Sequence, residues 1–420
     1  HNAHRRQRQM CIRDRISIFL LGFTSGLPYM LVFVTLGTWL AVIDIDLATI
    51  GFFAWIVLTY SLKFLWSPLV DNFSIPFFNK FGKRKSWIIL MQILIIIFLF
   101  LISITDPSTN LSLFAKFAFF VAFFGSIQDI AIDAFRIEMS EIDEQGNLAA
   151  SYQLGYRIAI LLATSGALIL ASRTNWSFVY QLMSLFMLFG FVGLYLTPEN
   201  KNASLRQLSF SDSIVVPLKD FFNRFGLYAA LLLLSIISTY RLTDIMTGQI
   251  INPFYIQMGY SLEEIGFVVK TVALAASIFG FFVGGKLIKS AGVKNSLIIG
   301  AFLVMITNLF FAYIAISEKS LALLSLVVAL DSMAAGIVGT VNITFLTSLV
   351  SKQYTAVQYA LFTSFMMLPG KILAGFSGLI IIKLGIVFGD DYGWMSFFII
   401  TSALTIPSIL LIRFYKDIYG

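Results

Sequence analysis

The chain has 420 residues, of which 58% are hydrophobic, 15% aromatic and only 12% charged, where a soluble domain carries about 25% charged residues. A water-soluble fold could not hide that much apolar surface, so the solvent for most of this chain is lipid. The net charge of +7 draws on Arg5, Arg6, Arg8, Arg13 and Arg15 in one short segment, and it therefore does not argue for a nucleic-acid partner.

Residues 1–15 are hydrophilic, begin with His1 and give way to a membrane pattern at Ile16. They read as a non-native or disordered leader and not as a signal peptide, because the apolar stretch that follows is too long and lacks a cleavage site. Cys11 is the only cysteine, and His1 and His4 are the only histidines. The membrane body thus offers no disulfide, no thiolate and no imidazole as metal ligand or proton relay. Neither a metal nor a cofactor is expected, a membrane enzyme is the least expected class because no nucleophile and base pair or metal cluster can be built without His or Cys, and any proton coupling must use carboxylates.

Apolar runs between Gly, Pro and charge clusters predict spans near 16–43, 48–70, 86–105, 111–137, 148–172 and 176–197. A second set falls near 225–257, 262–288, 292–316, 320–347, 356–384 and 393–414. The fold class expected is an all-α membrane protein with twelve transmembrane helices in two six-helix halves, residues 16–197 and 224–420, joined by a polar linker at 198–223. Lys80, Lys83, Arg84 and Lys85, then Lys201, Arg206, Lys219 and Arg224, then Lys286, Lys289 and Lys294, and finally Arg413 and Lys416 crowd alternate loops. Both termini and the linker should therefore be cytoplasmic.

An internal repeat supports duplicated halves. Leu47 to Phe52 opens the second span as Leu262 to Phe267 opens the eighth, and Gly82, Arg84 and Ser86 recur as Gly292, Lys294 and Ser296. Ser261 with Glu264 forms a capping-box pattern at the start of the eighth span. No phosphate-loop pattern occurs, which argues against direct ATP drive.

An ionisable side chain within a span costs about 2.5–3.5 kcal/mol on insertion scales, so each needs a partner or a wet cavity. The spans carry Lys63, Asp129, Asp133, Arg136, Arg157, Arg241, Asp244, Lys270, Asp331 and Lys371. Spacings of four and three stack Asp129, Asp133 and Arg136 on one helix face, with Gln128 at its border, and Arg241 and Asp244 repeat the three-residue spacing. Cations outnumber acids in this set, which suits an anionic substrate; structural ion pairing is the competing reading. Asp129 and Asp133 are the candidates for proton coupling, two carboxylates that would share one proton until Arg136 or Lys63 approaches. Tyr60, Tyr156 and Tyr240 neighbour Lys63, Arg157 and Arg241 in sequence, where a sugar ring could stack.

Several blocks resemble the AmpG muropeptide permease family of the major facilitator superfamily, from about Phe19 onward. They are Gly22 to Pro28, Leu62 to Asp71, Gln128 to Arg136 with Gly155-Tyr156-Arg157, Tyr240 to Asp244, Ser261 to Gly266 and Tyr354 to Ala360. The resemblance implies an importer, in the inner membrane of a Gram-negative bacterium, that takes anhydromuropeptides from periplasm to cytoplasm with protons for cell-wall recycling; a monomer is expected. In that setting Asp71 and Arg136 are gate elements. Substrate contacts fall to Lys63, Tyr60, Gln128, Tyr156, Arg157, Tyr240, Arg241, Asp244, Asp331 and Lys371. The chain departs from the family pattern at Thr243, where glycine is expected, at Asp331, where glutamate is more usual, and at Lys371, a cation displaced by one residue. Two alternatives stay open: the same fold carrying a siderophore, an acyl-coenzyme A or a peptide, and a receptor that binds without transport.

Overall fold

The computed structural model describes residues 2–66, 69–70, 73, 75–139, 142–197, 210–351, 355–389 and 392–415. Every regular element among them is helical. Lipid demands this, because an amide without a partner in hydrocarbon is costly and a helix satisfies its backbone within one segment. Nine helical stretches among the described residues are long and apolar enough to cross a bilayer, or ten if Leu361–Ala374 and Ser377–Phe388, bent by 42°, count as one. The stretch Leu262–Ala315 has 54 residues. At helical rise that is ~80 Å, more than twice the ~30 Å hydrocarbon core. It is broken at Gly292, with φ 75° and ψ 169°.

The chain divides into two compact units, His1–Ile43 with Ile56–Gln207, and Asp44–Trp55 with Leu208–Gly420. In the first unit, helix Asn2–Met30 continues through a π-turn, Leu31–Thr35, to Val42. With it helices Lys83–Ile104, Leu111–Glu138, Ile142–Leu161 and Phe189–Leu196 build a core of Ile18, Leu21, Ile88, Met91, Ile132, Phe135, Leu148 and Leu194. Lipid tails are as apolar as these side chains, so close packing, more than the hydrophobic effect, holds the helices together. Gly22 and Gly155 let two helix backbones of this unit approach closely. A Cβ at Gly22 would overlap the carbonyl of Tyr152, and one at Gly155 the carbonyl of Phe19.

The second unit packs Ile236, Ile237, Val341, Phe345, Phe362 and Ile412 at its centre. Segment Asp44–Trp55 belongs to this unit by contact although it lies within the sequence of the first. Trp55 Nε1 donates to the Ile372 carbonyl at 2.9 Å, and the Phe376 ring meets Trp55 edge-on at 5.1 Å.

Helix starts fall into two kinds. Asp46, Asn110, Asn175, Ser261 and Ser320 each accept a backbone N–H with the side chain, at the second, fourth, sixth, eighth and tenth expected spans. Ser261 and Glu264 complete the capping box read from the sequence. The other kind is a glycine break. Gly82 precedes helix Lys83–Ile104 with φ 98° and ψ 166°, nearly the geometry of Gly292, and a left-handed φ of this sort suits a residue without Cβ. The repeat seen in sequence is thus a repeat of backbone shape. Ser86 Oγ donates to the Lys83 carbonyl at 2.6 Å, and Ser296 Oγ to the Gly292 carbonyl at 2.6 Å. Lys85 Nζ donates to the carbonyls of Leu194, at 2.8 Å, and Thr197. Lys294 Nζ donates to that of Arg413 at 3.0 Å. After each break a cation therefore meets the orphan carbonyls at the end of a later helix of its own unit, where the helix dipole favours it.

Candidate functional site

In the first unit, helix Leu111–Glu138 carries the charged face predicted from its spacing, and Asp129 is buried, with 8% of its surface exposed. Three segments converge on it. Lys63, in the tight turn Lys63–Leu65, places Nζ 3.7 Å from Asp129 Oδ2. Ser25, on helix Asn2–Met30, donates from Oγ to Asp129 Oδ1. Tyr152, on helix Ile142–Leu161, stands 2.7 Å from Ser25 Oγ and 3.5 Å from Asp129 Oδ1 through its hydroxyl. Gln128 donates to the Thr24 carbonyl at 3.4 Å, and its Oε1 meets no partner among the described residues.

Asp133 turns to a different partner, with Arg136 Nη2 at 3.4 Å, and the Arg136 guanidinium lies 5.4 Å from the centroid of the Tyr152 ring. The two carboxylates expected to share a proton thus face separate cations, because the tertiary fold brings Lys63 to one while Arg136 reaches the other along its own helix. Tyr60 is pressed against Gly125 and meets Tyr29 edge-on at 4.9 Å. Its buried hydroxyl has no partner among the described residues. The rings of Tyr156 and Tyr152 are 6.1 Å apart. Arg157, one residue on, is exposed, and Asp71 lies outside the described residues.

In the second unit, Arg241 Nε lies 3.4 Å from Asp244 Oδ2. The helix breaks at Arg241, with φ −109° and ψ 13°; such an interruption in a membrane helix is tolerated where protein or a cavity surrounds it. Thr307 Oγ1 donates to Asp331 Oδ1 at 2.9 Å. The Tyr240 hydroxyl is buried against Gly300 and meets no partner among the described residues. Lys371 is 2% exposed, too deep for a charge that interacts with nothing. Thr243, where the resemblance expects glycine, donates its hydroxyl to the Thr401 carbonyl at 2.9 Å.

Sequence reasoning passed over several of these partners. Ser25 lies inside the quoted block Gly22 to Pro28 but carried no charge to draw notice, and Tyr152 and Thr307 had no signal beyond being polar within a span. Arg84, counted among loop cations, is buried and pairs with Glu138 at 2.7 Å while donating to the Val70 carbonyl at 3.0 Å. Gln358, from the quoted block Tyr354 to Ala360, accepts from Arg224 at 2.9 Å and from the Ser351 N–H at 2.7 Å. It donates to the Pro217 carbonyl at 2.8 Å and to Asp220 at 2.9 Å, and so ties helix Phe210–Tyr240 to the segment before helix Thr355–Ala374.

The described residues form apolar helical spans that bury paired charges, and the family model of the Major Facilitator Superfamily matches residues 18–374. The chain belongs to that superfamily and, within it, to the AmpG permease family. It is 33% identical over 406 residues to a Rickettsia conorii protein that carries the name AmpG 4, covering 94% of this chain and 95% of the relative. It is 31% identical over 397 residues to the anhydromuropeptide permease of Escherichia coli, covering 94% of this chain and 78% of that protein. Among solved structures, the nucleoside transporter NupG superposes with a TM-score of 0.68 at 15% identity, over 96% of this chain and 100% of that one. The D-xylose-proton symporter does so with 0.68 at 10%, over 94% and 97%. At those identities the likeness speaks to the fold alone.

Proposed function

We propose that this protein is a proton-coupled secondary transporter that carries anhydromuropeptides, disaccharides of GlcNAc and anhydroMurNAc bearing a short peptide, from periplasm to cytoplasm for peptidoglycan recycling. The observation that carries the cargo is the 31% identity to the Escherichia coli anhydromuropeptide permease across 94% of this chain. On this reading it is a transporter and not an enzyme. It works as a monomer in the bacterial inner membrane with both termini cytoplasmic. The chain makes twelve passes: Leu262–Ala315 divides at Gly292, the bent pair counts once, and the shorter Leu47–Ser61 is included.

Proton coupling draws its support from the pairing of Lys63 with Asp129. With Asp129 ionised, Lys63 has a counter-ion. Protonation of Asp129 removes that charge and leaves the ammonium to seek another, which a carboxylate of the substrate peptide supplies. Substrate and proton then load together, because each lowers the cost of the other. Asp133 serves with Asp129 in proton coupling, and Arg136 and Asp71 act as gate elements. Gln128, Tyr60, Tyr156 and Arg157 in the first unit, and Tyr240, Arg241, Asp244, Asp331 and Lys371 in the second, contact the sugar and the peptide acids.

Uptake of radiolabelled anhydromuropeptide into proteoliposomes tests the proposal. Accumulation that requires an inward proton gradient and collapses with a protonophore is the expected result. Binding without flux would instead point to a receptor, and silence to another solute.

A further inference from the structure

The two oxygens of Asp129 have different neighbours. Oδ1 takes the hydroxyl of Ser25 and lies 3.5 Å from that of Tyr152, whereas Oδ2 faces Lys63 at 3.7 Å. With the Ser25 proton directed at the carboxylate, its oxygen is left to accept from Tyr152 at 2.7 Å, so the donors run from Tyr152 to Ser25 to Asp129. This arrangement is built into the backbone. Gly22 sits one helical turn before Ser25 and Gly155 one turn after Tyr152, and the interlock of these glycines with the opposing carbonyls holds the two helices at the approach the hydroxyl pair needs. The other face of Tyr152 bears the Arg136 guanidinium, which pairs with Asp133. Among the described residues, the charged groups near Asp129 are Lys63 from the second span and Asp133 and Arg136 on its own helix.

We propose that Ser25 and Tyr152 are positioning residues for the proton carrier: they occupy Oδ1, fix the carboxylate rotamer, and leave Oδ2 as the atom that exchanges its proton against Lys63. Tyr152 also joins this carboxylate to the Arg136–Asp133 pair through its ring, so a movement of that pair is felt at Asp129. The inference rests on the proton-coupled reading above. It goes beyond that reading in dividing the two oxygens by role and in assigning two uncharged residues to coupling.

The test compares two modes of transport in proteoliposomes holding the full chain: accumulation of labelled anhydromuropeptide driven by a proton gradient, and gradient-free exchange of labelled for unlabelled anhydromuropeptide. Exchange returns the carrier loaded and needs no release of the proton, so a defect confined to proton handling spares it. Tyr152→Phe, which keeps the ring beneath Arg136, and Ser25→Ala are each expected to lower driven accumulation by about tenfold, or ~1.4 kcal/mol, with exchange within about twofold of wild type. Ser25→Thr, which keeps a hydroxyl, restores accumulation. Equal loss of both modes in Tyr152→Phe and Ser25→Ala, the mark of a merely structural role, overturns the inference, as does accumulation unchanged in both variants. Should Ser25→Ala fail to fold, Tyr152→Phe decides alone. A wild type whose uptake ignores the gradient, or that neither accumulates nor exchanges the compound, overturns the underlying reading and this inference with it.

Discussion

Asp129 in the first unit and Asp244 in the second each stand beside a cation, but the cations come from different places. Lys63 reaches Asp129 from a separate segment, at 3.7 Å, while Arg241 lies one turn from Asp244 on the same stretch of chain, at 3.4 Å. A pair drawn from one helix travels with that helix and survives any rigid movement of it. A pair drawn from two elements is made or broken when they shift. The first arrangement can therefore register a conformational change or a protonation, whereas the second stays together wherever its segment moves and lowers the membrane cost of two charges that are also proposed to meet the substrate. The hydroxyls do not divide this way: Ser25 and Tyr152 come to Asp129 from two further helices, and Thr307, on helix Leu274–Ala315, reaches Asp331 on helix Leu321–Leu349.

The sharpest way to break this contrast is to neutralise the first acid. Asp129→Asn is expected to cut gradient-driven accumulation about a hundredfold, on the scale of losing a positioned proton-transfer group, while Asp244→Asn retains gradient dependence at reduced rate. A variant at 129 that still accumulates against its gradient would end the assignment. Next in size is the interlock that builds the first cluster. Gly155→Val forces a branched side chain into the Phe19 carbonyl and should cost about 1–3 kcal/mol as overpacking, read as a lower melting temperature in detergent; a melting curve superimposable on wild type would show that the helices part easily. Thr307→Val removes the donor to Asp331 and is expected to cost about 1 kcal/mol of stability, with the proton dependence of uptake intact, and loss of that dependence would move the coupling site to the second unit. The smallest effect belongs to the local pair. A double-mutant cycle over Arg241 and Asp244 should return about 0.5 kcal/mol or less, as neighbouring helical charges do, and a value several times larger would mean that this pair too is shared with a moving element.

Much of the fold was legible because lipid imposes a simple rule. Long apolar runs, cation-rich alternate loops and the paired glycine motifs at Gly82 and Gly292 declared the membrane class, and the repeat was confirmed as a repeat of backbone geometry. Within the site, charge was easy to find: Asp129, Asp133, Arg136, Arg241 and Asp244 stood out because an ionisable group in a span is anomalous. Partnership was harder. Local spacing identified Arg136 with Asp133 and Arg241 with Asp244, since residues three apart meet on a helix. It named Lys63 and Arg136 as the cations that could approach the two carboxylates but could not say which meets which: Lys63 stands at Asp129 and Arg136 at Asp133.

The sequence by itself determined that this is an all-helical membrane protein of the major facilitator kind, which residues carry charge into the bilayer, and which of those charges pair along one helix. These follow from transfer energies and helical periodicity, which act over a turn or a span. Only the tertiary structure decided that Ser25, Lys63 and Tyr152 meet at Asp129, that Arg84 and Lys85 are buried anchors and not loop charges, and that Asp44–Trp55 packs with the second unit. Those contacts join residues far apart in sequence. They depend on how closely neighbouring helices approach, which in the first unit is set by the absence of a side chain at Gly22 and Gly155.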